Sequence, residues 1–189
     1  MKKIFLSASL ILATATAAQA NEVYADPVFA DGLTSTSATV QEWIDDCLSE
    51  ISSSKAIRAC SKLIKGAPPK DDLKANLYTR RALHKMSLGR FDDASTDFRR
   101  AGEFSENSDM AALGNGFAAM FQNDLETARH QFAESQDTEQ LAPLAAYGMG
   151  LTYEMDGDAE AARAAYEDAL ELRPSWDAVQ EKVTDLDKQ

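Results

Sequence analysis

The sequence offers few of the side chains that most often hold metals or attack substrates: two cysteines and two histidines. Neither His84 nor His130 has a Cys or His three or four residues away, the spacing that sets ligands on one helix face, so no metal site is expected. No strand pattern is evident and no glycine-rich phosphate loop follows one. The G-x-G pairs Gly114/Gly116 and Gly148/Gly150 lie inside helical segments, and Asp156-Gly157-Asp158 is too short for a calcium loop. No catalytic constellation stands out, so the expectation is a non-enzyme without cofactors. Positive charge is also scarce: 19 Lys and Arg face 31 Asp and Glu, a net −12. That repels nucleic acid and anionic membrane surfaces alike. The acids are spread over helix faces, which reads as a solvated surface.

There is one long apolar run, Ile4 to Ala17, behind Lys2 and Lys3 and before Ala18-Gln19-Ala20. It is short for a membrane span and has small residues where signal peptidase cuts. Residues 1–20 are therefore expected to be a cleaved signal peptide, Asn21 the mature N-terminus, and the protein periplasmic. The alternative is an uncleaved anchor helix. No Cys stands at the cut to carry lipid, and no second apolar run would insert in a membrane. Cleavage removes two Lys, leaving 17 basic against 31 acidic residues, or −14. Residues 21–36 mix Pro27, Gly32, Asp, Ser and Thr without a helical period and read as a flexible arm.

What the chain does contain is a repeat. Ala94, Phe98 and Ala101 recur as Ala128, Phe132 and Ser135, and again as Ala162, Tyr166 and Ala169, each step 34 residues. A looser copy, Ala56, Cys60, Leu63 and Pro68, lies upstream. A fixed period of this length means stacked supersecondary units. Each copy reads as two amphipathic helices: Ala38–Ser49 with Ser54–Ile64, Leu73–Leu88 with Phe91–Ala101, Met110–Phe121 with Leu125–Glu134, and Pro143–Met155 with Ala159–Leu172. The turns fall at Gly89-Arg90, Gln122-Asn123-Asp124 and Asp156-Gly157-Asp158, and Pro174 stops the last repeat. Units of 37–70, 75–108, 109–142 and 143–174 follow. A capping helix over 175–189 carries Trp176, Val179, Val183 and Leu186 on one stripe. Gly116 and Gly150 on first helices, with Ala128 and Ala162 on second helices, are expected where backbones cross closely.

The pattern resembles the tetratricopeptide repeat. The last copy matches best, with Gly150, Tyr153, Gly157, Ala162, Tyr166, Ala169 and Pro174 at the expected positions. The third keeps Gly116, Ala128 and Phe132 but has Ser135 and Gln140 where Ala and Pro are usual. The second keeps Ala82, Ala94, Phe98 and Ala101 but has Arg81 where Leu is common, and the first has Ile44 where a small residue is expected. The resemblance implies an all-α, α-solenoid fold of about four repeats over residues 38–174. It is a scaffold for many partners and names none.

By the same register Cys47 and Cys60 stand in the columns of Tyr153 and Tyr166, which the resemblance implies are in contact. The resemblance thus implies a Cys47–Cys60 disulfide across the first repeat, worth about 3 kcal/mol on the chain-entropy model. The alternative is two buried free thiols; a catalytic thiol lacks a nearby His in the register. The resemblance also implies an inner groove lined by first helices: Asn76, Thr79, Arg80, Leu83 and Met86; Met110, Leu113, Phe117, Met120 and Phe121; Tyr147, Leu151 and Glu154. Met and Phe make an adaptable surface for a partner's apolar side chain. The same residues could pack against a neighbouring repeat, take up Val23, Tyr24, Val28 or Phe29 of the arm, or form a homodimer. The expected function is a non-catalytic periplasmic adaptor for an envelope protein or peptide, with a self-associating structural protein as the alternative. Alkylation under non-reducing, denaturing conditions should find no free thiol by mass; two alkyl groups would sink the disulfide.

Overall fold

In the computed structural model, residues 38–52, 54–66, 71–104 and 108–188 are described. The expected signal peptide and the 21–36 arm lie outside them. Every regular element among the described residues is a helix, as the period implied. In order they are α1 (Ala38–Leu48), α2 (Ser54–Gly66), α3 (Asp71–Ser87), α4 (Phe91–Phe104), α5 (Asp109–Phe121), α6 (Leu125–Glu134), α7 (Ala142–Asp156), α8 (Ala159–Leu172) and α9 (Asp177–Leu186). None is long and apolar enough to cross a membrane. The chain forms two compact units, divided between Ser105 and Glu106.

The first unit holds the hairpins α1/α2 and α3/α4, with α2 and α1 both against α3. Cys47 and Cys60 are joined by a disulfide, and neither is exposed. The bond lies in a core of Ala59, Leu63, Leu73 and Leu77, with Val40, Trp43, Ile44 and Ile64 packed at its edge. Ile44, too large for a close helix crossing, is used here as core filler.

The second unit holds α5/α6 and α7/α8, with α6 against α7 and α9 on α8. Its packing turns on missing side chains. A Cβ on Gly116 would lie 2.8 Å from the Phe132 ring, and one on Gly148 would lie 2.6 Å from the same ring. Phe132 of α6 is thus gripped by backbone of α5 in its own repeat and of α7 in the next. Gly150 makes room for Tyr166 in the same way, at 2.4 Å. Gly in a helix interior costs about 1 kcal/mol relative to Ala; contact with a fully buried ring offsets it.

The hairpin turns repeat in conformation as well as sequence. Gly89, Asn123 and Gly157, each 34 residues from the next, take φ of 71°, 62° and 85°. Asn tolerates this left-handed region better than most L residues, so it substitutes for Gly in the third repeat. Asp124 and Asp158 then cap α6 and α8, accepting from Thr127 N at 3.2 Å and Ala161 N at 3.0 Å. The capping helix starts at Asp177 rather than Ser175, because Trp176 is extended (φ −103°, ψ 84°) and sits at the N-cap.

Gly148→Val should cost about 1–3 kcal/mol by overpacking against Phe132. Gly66→Ala, where a Cβ would meet nothing within 4 Å, should leave stability nearly unchanged. Urea midpoints compare the two.

Candidate partner-binding faces

The inner-face residues expected from the register divide sharply by exposure. Met86, Leu113, Phe117, Met120, Tyr147 and Leu151 are all buried, Phe117 to 1% exposure. Phe117 stacks edge-on against Phe132, ring centroids 4.8 Å apart, and Tyr147 lies against Tyr166 and Trp176. These six belong to the packed interior of their units, which corrects the expectation that Phe117 and Met120 open into a groove. Arg80, Leu83, Met110 and Glu154 remain half-buried. On the second unit's first helices, Leu144 and Phe121 are also half-buried, and Met155 is 50% exposed.

Arg81 stands where the repeat usually has Leu, and the structure shows why that is tolerated. Its Nε and Nη2 donate to the two carboxylate oxygens of Asp97 at 2.7 Å each, and Nη1 donates to Ser61 Oγ at 2.9 Å. Lys85 Nζ reaches the same carboxylate at 2.6 Å and the Asp93 carbonyl at 3.1 Å. Asp97 is almost wholly buried, so this polar knot joins α2, α3 and α4. Losing one partner of such a buried set costs about 3–5 kcal/mol. The cations continue outward along an aromatic ladder: Arg81 lies over Tyr78, Tyr78 stacks on Phe104, and Lys74 lies over Phe104.

His84 has partners that the sequence did not disclose. It is buried on α3, its Nε2 2.9 Å from the Cys47 carbonyl and its Nδ1 3.2 Å from Ser52 Oγ. It therefore ties the disulfide-bearing end of α1 and the α1–α2 connection to the next repeat. With one ring nitrogen on a backbone carbonyl and the only cysteines joined, it cannot act as a base for a thiol. Burial lowers its pKa; the Cys47 carbonyl opposes that shift and the Arg80 charge adds to it. His130 is exposed beside Glu134.

In the second unit Glu154 is a junction. It accepts from the Tyr166 hydroxyl at 2.6 Å and from Lys182 Nζ of α9 at 2.9 and 3.0 Å. Burial, then the Glu154 bond, holds the Tyr166 hydroxyl well above the usual tyrosine range. Tyr153 takes Arg129 over its ring, and Arg129 also pairs with Asp156 at 3.0 Å. Among the described residues no group of three or more His, Cys, Asp or Glu could hold a metal ion.

The profile described as Tetratricopeptide repeat matches residues 145–175, which span most of α7 and α8 and the entry to α9. Among solved structures the chain is similar to the crystal structure of MamA, with a TM-score of 0.60 and 20% identity over 70% of this chain and 75% of that one. At that identity the likeness shows a shared fold, and it agrees with the α-solenoid class implied by the register. No curated protein matches. Repeats of this kind point to protein partners and a scaffold role.

A neutral buried histidine stabilises the folded state above its unfolded pKa of about 6.5 and loses that contribution as pH falls below it. Urea midpoints of the wild type should therefore drop between pH 7.5 and 5.5 more steeply than those of His84→Gln. Parallel slopes would show that His84 does not govern the acid limb.

Proposed function

We propose, on the premise that this chain is a tetratricopeptide-repeat protein, that it is a non-catalytic adaptor holding a protein or peptide of the cell envelope against its first-helix faces. The observation that carries this reading is a recurrence within the second unit. Met110 and Leu144, then Phe121 and Met155, are apolar side chains at matching repeat positions 34 residues apart, and all four keep exposed area. Between them the strip is packed shut by Leu113, Phe117, Tyr147 and Leu151. A partner thus meets the accessible parts of Met110, Leu144, Phe121 and Met155, while the residues between them belong to the packed interior. In the first unit the matching positions hold the polar Asn76 and Ser87, and Leu83 and Arg80 are half-buried elsewhere on the same helix.

The periplasm is the proposed location. The Lys2-Lys3 head, the Ile4–Ala17 run and the Ala18-Gln19-Ala20 site support export. The Cys47–Cys60 disulfide supports an oxidising compartment.

The test is affinity capture from envelope extract, with wild type beside the pair Met110→Asp and Met155→Asp. Both positions are surface-accessible, so the variant should keep its helical signal and melt within about 0.5 kcal/mol of wild type. A partner held by wild type and lost by the variant supports the adaptor reading. Equal capture by both overturns this face. No capture, with a mass that rises with concentration in light scattering, supports the alternative of a self-associating envelope protein.

A further inference from the structure

Charge is distributed unevenly between the two units. Residues 106–189 carry 5 Lys and Arg against 18 Asp and Glu, a net −13, whereas residues 1–105 carry 14 against 13. The few cations of the second unit are already engaged. Arg129 pairs with Asp156, Arg163 with Asp187, Lys182 with Glu154 and Lys188 with Asp185, while Arg173 lies over Trp176. Five cations against 18 carboxylates leave the unit with a surplus of 13 negative charges.

Helix α9 and its C-cap bring net negative charge to an acidic unit, and they are tied down by Lys182 on Glu154 of α7 and by Asp187 on Arg163 of α8. The inward side of α9 is complementary: Trp176 lies 5.0 Å from the Tyr147 ring by centroids, Val179 is fully buried, and Lys182 meets Glu154. Its outward side adds the exposed Asp177, Glu181 and Asp185 to an acidic body. At 10 residues it is too short to be stable as a free helix. A cleft of about 120 Å³ remains where Glu154 of α7 faces Lys182 and Leu186 of α9.

We propose that the face of α7 and α8 beneath α9 is a helix-docking site that α9 fills in cis, and that its occupant in trans is a basic amphipathic helix. Such a partner would keep an aromatic and an aliphatic anchor for Tyr147 and the Val179 position, with a Lys for Glu154. Outside these it would carry Lys or Arg where α9 has acids. The proposal goes beyond the adaptor reading by adding a second surface and the chemistry of what binds there. Lys182 already shows which charge Glu154 accepts, and charge complementarity selects the rest.

The probe is a fluorescent peptide of residues 175–189 carrying the changes Asp177→Lys, Glu181→Lys and Asp185→Lys, titrated into the full chain by anisotropy. It should bind at least about tenfold tighter than the native-sequence peptide. Binding should weaken with salt. Amides of residues 177–186 in the chain should lose hydrogen-exchange protection as it binds. Glu154→Gln in the chain should weaken that binding. A peptide of equal charge with the Trp176 and Val179 positions changed to Ser should bind far less. Equal binding of that control would reduce the effect to bulk charge and overturn docking. Equal binding of the native-sequence peptide would mean exchange of α9 between copies and overturn the basic partner. No binding, with α9 protected throughout, also overturns it. Capture that depends on Met110 and Met155 would stand through any of these results, so the two readings fail separately.

Discussion

The second unit depends on an aromatic ring pressed against a backbone that has no side chain. Phe132 and Tyr166 stand on second helices and occupy the volume that Cβ atoms of Gly116, Gly148 and Gly150 would fill. Helices cannot approach this closely unless one side gives up its side chain, and the space gained must then be filled without voids. Because Phe132 touches glycines of two successive repeats, the contact that closes one hairpin also registers it on the next. The 34-residue spacing in the sequence is the trace of that geometry.

The first unit meets the same need differently. It has Ala82 and Ile44 where the second unit has Gly, and its first repeat has Cys60 where the others have a ring. Covalent and ionic links are added to the packing there. The disulfide joins α1 to α2, His84 joins their connection to α3, and Arg81 with Lys85 joins α3 to the buried Asp97 of α4. These links are directional, so they fix geometry where nonspecific packing would leave it loose.

This division explains what the sequence disclosed. The helices, the left-handed turns at Gly89 and Gly157, and the Cys47–Cys60 pair were legible because each is set by near neighbours or by one repeated column. Arg81 looked like a flaw in the pattern because its partner, Asp97, stands 16 residues on at a position the repeat signature leaves open, where Asn115 and Gln131 pair one repeat later. His84 looked isolated because it answers a carbonyl 37 residues away. Phe117 and Met120 were placed on the correct helix but given the wrong exposure. A helix period tells which residues share a stripe, whereas burial depends on what covers the stripe. Glu154 was found as an inner-face residue, yet Lys182 and Tyr166 already hold it.

The disulfide has one further effect. Ile51, in the connection between α1 and α2, is 78% exposed and lies inside the loop that Cys47 and Cys60 close. Exposed connections of this kind are where proteases cut. A single scission there would leave both fragments joined through sulfur, running as one band until a reductant is added. The first repeat can therefore survive as a two-chain module, and its integrity must be judged on a reducing gel.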